Sequence, residues 1–188
     1  MYKTQSDEAL MHRLAQQRDE GAFAELYDRY SARMYRFFLR MLGRNAAQAE
    51  DFTQDLFLKI IEKPAFFDPS RRFSTWLYTL ASNMCKNEYR RRNPFVAPDF
   101  GPEEALPMAE HQPEYLDKPF LEHQLQRAID RLDDTHRQCF VLRWQEELSL
   151  REIADIVGCP EGTVKSRLHH ALRKVTQIFE GWKVEGGG

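Results

Sequence analysis

The chain lacks the features that announce most chemistries. None of its 188 residues belongs to an apolar run approaching the length that spans a bilayer, about eighteen residues. Its polar start has no apolar core of the kind a secretory signal needs, so stable membrane insertion is not expected. Three cysteines are present, Cys85, Cys139 and Cys159. An odd and scattered set fits neither a disulfide framework nor a Cys-x-x-Cys zinc site, and reduced thiols in a cytoplasmic protein are the expectation. There is no glycine-rich phosphate loop, no paired-carboxylate site and no histidine cluster at metal-ligand spacing. The adjacent His169 and His170 leave one helix in different directions. No cofactor, metal site or catalytic group is therefore expected. A basic excess is missing too: Lys+Arg total 27 against 29 Asp+Glu, a net −2 that taken alone speaks against nucleic acid.

The distribution of charge says otherwise. Residues 64–92 hold six Lys/Arg against two acids, and residues 93–119 hold one Lys against six acids. The blocks on either side, 1–63 and 120–184, carry ten charges of each sign. Such asymmetry is more informative than the total.

Apolar residues recur at helical spacing in three early runs. Phe23, Leu26, Tyr27, Tyr30, Met34, Phe37, Phe38 and Met41 form the first, with Gly43 placed to stop it. Phe52, Leu56, Ile60 and Ile61 form the second, ending before Pro64. Phe73, Trp76, Leu77, Leu80, Ala81 and Met84 form the third, which closes on "YRRRNP" with Pro94 as terminator. Residues 93–119 contain six prolines, the acid excess and no sustained period, and so read as a linker. Helical spacing resumes at Leu121, Leu125, Ala128, Ile129 and Leu132, continues through "QCFVLRWQEEL" and reaches the segment that ends at Val175. No segment alternates as strands do. The expectation is an all-α chain of two small helical domains, 1–92 and 120–188, joined by an extended linker, 93–119.

The most specific stretch is "EIADIVGCPEGTVKSRLHHALRKV", Glu152 to Val175. Ser149 and Glu152 make a capping box for the helix that precedes Gly158, a residue suited to a left-handed helix end. Pro160 can open the next helix, where its missing N–H costs nothing. Ala154, Gly158 and Val164 then fall where a helix-turn-helix needs a small residue, a turn residue and a seating apolar residue. A plain helical hairpin could share this spacing. Between Thr163 and Lys174, however, four residues are basic and none is acidic, whereas an ordinary solvated helix mixes both signs. Val164, Leu168, Ala171, Leu172 and Val175 form the buried stripe. Thr163, Lys165, Ser166, Arg167, His169, His170, Arg173 and Lys174 are the candidate DNA contacts; Arg suits bidentate binding to guanine and Lys suits phosphate.

The third early run has a second cationic face. Opposite its apolar stripe the sequence sets Thr75, Tyr78, Thr79, Ser82, Lys86 and Tyr89, followed by Arg90, Arg91 and Arg92. Cations interleaved with exposed rings suit opened nucleic acid, where bases stack while cations follow phosphates.

Three segments in order, "AEDFTQDLFLKIIEK", "RRFSTWLYTLASNMCKNEYRRR" and the helix-turn-helix, resemble bacterial sigma factors of the extracytoplasmic-function (ECF) group. They match that group's second and fourth conserved regions across most of 22–92 and 121–179. Phe52 and Asp55 depart from it, standing where Leu or Ile and Glu are more usual. The resemblance implies a dissociable initiation subunit that binds the clamp and flap regions of the RNA polymerase core and directs it to promoter DNA. It implies that Glu50, Asp51, Gln54 and Asp55 bind the polymerase clamp. It also implies that the loop 64–74 and the helix after it read and open the −10 element, through Phe66, Phe67, Arg71, Arg72, Tyr78, Asn83, Lys86, Arg90 and Arg91. The helix-turn-helix would read the −35 element, and an anti-sigma factor would hold the chain inactive. Without the family, the acids could equally be a solvated helix turn, and Phe66 and Phe67 could equally be core anchors.

The linker has a physical task under this reading. Promoter elements two helical turns apart lie roughly 70 Å apart along the duplex. A free coil of this length spans only about 30 Å, while a stretched one reaches roughly 90 Å. The linker must run extended, and its acids suit a basic channel in the polymerase. Two other readings differ in class: a free-standing helix-turn-helix regulator, which would bind promoters without polymerase, and an enzyme with a helical N-terminal domain, for which residues 1–92 offer no catalytic constellation.

Overall fold

The computed structural model describes residues 2–92 and 118–185, and within the second stretch the side chains of 124–178. The linker expected at 93–119 lies almost wholly outside the described residues, as does the side chain of Leu121. The chain divides into two compact units, one within Met1–Val96 and the other within Ala97–Gly188. Among the described residues every regular element is helical.

The first unit contains α1 (Asp7–Gln17), α2 (Glu20–Met41), α3 (Ala46–Glu62), a short 3₁₀ turn (Pro64–Phe66) and α4 (Phe73–Arg92). Each of the first three helices starts on a side-chain cap, and α1 itself lies outside the three early runs read from the sequence. Ser6 Oγ accepts from the Ala9 amide, Asp19 from Ala22 and Asn45 from Gln48, satisfying donors that a helix start leaves open. Gly43 (φ 66°) and Arg44 (φ 62°) are both left-handed. They fold α3 back onto α2, and Gly43 supplies this conformation without strain. Leu26, Met34, Phe37 and Phe38 of α2 are fully buried, as are Leu56 and Ile60 of α3 and Leu10 and Met11 of α1.

Two predicted core residues sit nearer the surface. Phe23 is half-buried and Tyr27 exposed. Their rings lie 6.3 and 4.8 Å from Phe57, forming an aromatic border rather than the core itself.

Polar ties fasten the N-terminal segment. Arg29 donates to the carbonyls of Tyr2, Lys3 and Gln5 and pairs with Asp7 and Glu25. Tyr30 donates its hydroxyl to Asp7; burial first, and then this bond to a carboxylate, push the phenol well above its ordinary range.

The second unit contains α5 (Lys118–Asp130), α6 (Asp134–Phe140) running into a single π-helical turn (Val141–Gln145), α7 (Leu150–Val157) and α8 (Glu161–Glu185). Its core is mostly aliphatic: Ala128, Ile129, Val141, Leu142, Ile153, Val164 and Ala171 are fully buried. The predicted capping box forms, with Ser149 Oγ and Glu152 bonding reciprocally across the start of α7. Gly158 takes the left-handed conformation at φ 73° and closes α7 on the Ala154 carbonyl. The carbonyl of Pro160 accepts from Thr163 and Val164, so the proline opens α8 as expected.

Candidate functional site

On α3 the structure separates two faces. Ala49, Thr53, Leu56, Phe57 and Ile60 face inward, and Thr53 satisfies its buried hydroxyl on the Ala49 carbonyl at 2.7 Å. Glu50, Asp51, Gln54 and Asp55 all face solvent, with Leu58 exposed one turn further along. None of the three carboxylates is paired with a described residue. Phe52 is half-buried, its ring 5.5 Å from Phe38, so the aromatic departure is accommodated beside the α2 core.

The loop between α3 and α4 splits the two phenylalanines that sequence alone leaves equivalent. Phe66 is 73% exposed, with Lys63 Nζ 5.7 Å from its ring centre. Phe67 is buried, packed edge-on against Phe73 and Trp76 at 5.9 and 5.3 Å. It is a core anchor and has no surface with which to meet a base. Asp68 closes the following turn by accepting from the Ser70 hydroxyl and amide. Those two bonds, with Arg71 at 3.8 Å, hold its carboxyl below the ordinary range. The start of α4 is capped from a distance: Glu8 of α1 accepts from the Phe73 amide at 3.0 Å.

The α4 helix is rotated relative to its sequence reading. Its buried stripe is Phe73, Leu77, Tyr78, Ala81, Ser82, Cys85 and Glu88, whereas Trp76, Leu80 and Met84 are only half-buried. Tyr78, expected on the displayed face, is fully buried with its ring 5.5 Å from that of Phe37. Tyr89 is half-buried and donates its hydroxyl to the Met41 carbonyl. Both tyrosines belong to the scaffold because their rings fill space that α2 leaves open, which hydropathy ranking underrates. Asn83, Arg90, Arg91, Arg71 and Arg72 are exposed, and Lys86 is half-buried.

Glu88 organises the end of α4. The side chain is only 7% exposed, yet it accepts from Arg91 at 2.9 and 3.0 Å, Arg92 at 2.8 Å and Gln48 at 2.9 Å. The Arg91 bonds, opposed by burial and reinforced by Arg92 and Gln48, lower its pKa to about 2. Arg92 also donates to the side chain of Gln48, tying α4 to the first turn of α3.

On α8 the predicted stripe holds at Val164, Leu168, Ala171 and Val175, all buried; Leu172 is half-buried. Lys165, Arg173 and Lys174 are exposed, and Thr163, Ser166, His169 and His170 are half-buried. Arg167 is the exception among the cations. It is 8% exposed and directs its guanidinium at Cys159 Sγ, 3.8 Å away in the turn before α8. That burial leaves little of it for DNA.

Lys174 is not a free cation either, since it pairs with Asp133 at 3.2 Å. Asp133 caps α6 and accepts from the His136 ring at 2.6 Å. Burial acts to raise its pKa, but bonds from the His136 ring, the His136 amide and Thr135 outweigh it and carry the carboxyl well below its usual range. The His136 and His169 rings lie 6.0 and 5.8 Å from that of His170. Among the described residues no cluster of His, Cys, Asp or Glu could hold a metal ion. None of their helices is long and apolar enough to cross a membrane.

Sequence reasoning missed Glu8, Gln48, Glu88 and Asp133. For Glu88 the signal was available: a carboxylate three and four residues before two arginines on one helix. For Glu8 it was not, because a cap from another helix leaves no local trace.

Comparison with known proteins fits this architecture. Residues 26–95 match the family model for Sigma-70 region 2, and residues 128–177 match that for Sigma-70, region 4. The ECF RNA polymerase sigma factor SigW of Bacillus subtilis (strain 168) is 35% identical, the match covering 83% of this chain and 89% of that protein. The ECF RNA polymerase sigma factor RpoE of Cereibacter sphaeroides is also 35% identical, over 90% and 92% of the two chains. Among solved structures, CnrH in complex with the cytosolic domain of CnrY aligns with a TM-score of 0.70 at 22% identity, covering 94% of this chain and 99% of that one, a likeness of fold. The chain belongs to the ECF RNA polymerase sigma factors.

Proposed function

We propose that this chain is a non-catalytic, cytoplasmic initiation subunit that binds the RNA polymerase core, brings it to promoters and nucleates strand opening. The observation that carries the reading is the segregation of charge between two helices. The solvent face of α3 offers Glu50, Asp51, Gln54 and Asp55, while α8 from Thr163 to Lys174 has no acid at all. An acidic face suits a basic protein partner, and an acid-free cationic helix after a helix-turn-helix turn suits the major groove.

In this reading residues 1–92 bind polymerase and the −10 element, 93–119 tether, and 120–188 bind the −35 element. Phe66, Arg71, Arg72, Asn83, Lys86 and Arg90 serve the −10 element. Thr163, Lys165, Ser166, His169, His170, Arg173 and Lys174 serve the −35 element. Buried Phe67, Tyr78 and Arg167 support these faces from below. The RpoE of Bartonella quintana was solved in complex with the anti-sigma factor NepR. By analogy an anti-sigma factor would cover faces of this chain until induction.

The test is polymerase capture with run-off transcription on promoter fragments. Asp51→Arg with Asp55→Arg should abolish capture, and Ser166→Glu should abolish −35 recognition while capture persists. If the double variant is captured as the parent is, the assignment of α3 is wrong. Promoter binding by the chain without core polymerase would favour a free-standing regulator.

A further inference from the structure

The three arginines that end α4 are adjacent in sequence but not equivalent in space. Arg91 and Arg92 lie three and four residues beyond Glu88, on its side of the helix, and both are bonded to its carboxylate. Arg90 lies two residues beyond it, about 200° around the helix, and so points away. It is exposed, and it falls in line with Asn83, Lys86 and Asn87 at offsets of seven, four and three residues, one continuous stripe along α4. Releasing the arginines would cost the Glu88 carboxylate both of its charged partners.

We propose that Glu88 is a positioning residue that sorts these arginines: it holds the largely exposed Arg91 in an ion pair within α4, braces α4 against α3 together with Arg92 through Gln48, and leaves Arg90, in line with Asn83 and Asn87, to meet the DNA. This rests on the reading that α4 faces the −10 element, and it adds Asn87, exposed and between Asn83 and Arg90, to that face. The tie through Gln48 sits two residues before Glu50, so the same carboxylate joins the DNA-facing helix to the first turn of the polymerase-facing one.

The experiment uses full-length variants assembled with core polymerase, titrated against a promoter fragment across a range of salt, with thermal melting of the free chain alongside. Arg90→Ala should flatten the plot of log affinity against log salt by about one unit and leave melting unchanged. Arg91→Ala should keep the slope and lower the melting temperature. Glu88→Gln should steepen the slope by up to about one unit as an arginine is released to phosphate, and weaken discrimination between promoter and non-promoter DNA. Glu88→Asp should restore part of both. An Arg91→Ala slope that falls as far as that of Arg90→Ala overturns the sorting, as does a folded Glu88→Gln that binds as the parent does. Should Glu88→Gln fail to fold, the arginine pair decides alone. If Arg90→Ala, Asn83→Ala and Lys86→Ala all bind promoter normally in intact holoenzyme, the reading of α4 as a DNA face falls and the sorting falls with it.

Discussion

The α4 and α8 helices carry their cations over different foundations. Beneath α8 the support is aliphatic, with Val164, Leu168, Ala171 and Val175 on one stripe, and among its described side chains only Arg167 intrudes. Beneath α4 it is partly polar: Tyr78, Ser82 and Glu88 are buried alongside Phe73, Leu77 and Ala81. Hydrophobic spacing therefore fixes the phase of α8 and misses that of α4. A helix that buries a phenol and an ion-paired carboxylate turns polar letters inward, leaving Trp76, Leu80 and Met84 only partly covered.

The sharpest way to break this contrast is at Tyr78. Tyr78→Ala should destabilise the first unit by about 3–5 kcal/mol, the usual cost of truncating a buried large aromatic, as measured by chemical denaturation. A stability unchanged from the parent would restore the sequence phase of α4 and erase the difference between the helices. A smaller effect separates two cations of α8. Arg167→Ala should cost about 1–2 kcal/mol through lost packing. Lys165→Ala should stay within about 0.5 kcal/mol of the parent while lowering the salt slope of DNA binding by about one. Equal behaviour in both assays would mean that Arg167 is a surface residue after all. Ser149→Ala comes next, at about 1 kcal/mol for a lost N-cap, and protection of the first α7 amides against hydrogen exchange is the local readout.

The gentlest perturbation needs no substitution. The folded pKa of Glu88, about 2, lies below its ordinary value of 4.5. Its pairing therefore stabilises fully above about 4.5 and is lost as pH falls from there through about 2. Amides in the last turn of α4 should lose protection across that window, and in Glu88→Gln they should show no such step.

What could be read from sequence followed how local its cause is. The cap at Ser149, the left-handed Gly158 and the outward acids of α3 depend on residues within one or two turns, and patterns report them well. The inward turn of Tyr78, the burial of Phe67 instead of Phe66 and the descent of Arg167 onto Cys159 depend on which neighbouring helix lies opposite. Those contacts are set by tertiary packing, so two adjacent phenylalanines look alike until the fold tells them apart.

The bond from the Phe73 amide to Glu8 spans 65 positions, and its acceptor is synthesised first. At about 5–20 residues per second, Glu8 leaves the ribosome roughly 3–13 s before Phe73 does. During that interval α1 can dock on α2 with its carboxylate still waiting. When α4 arrives, the acceptor for its first amide already stands in place, so the last helix of this unit begins on a template laid down by the first.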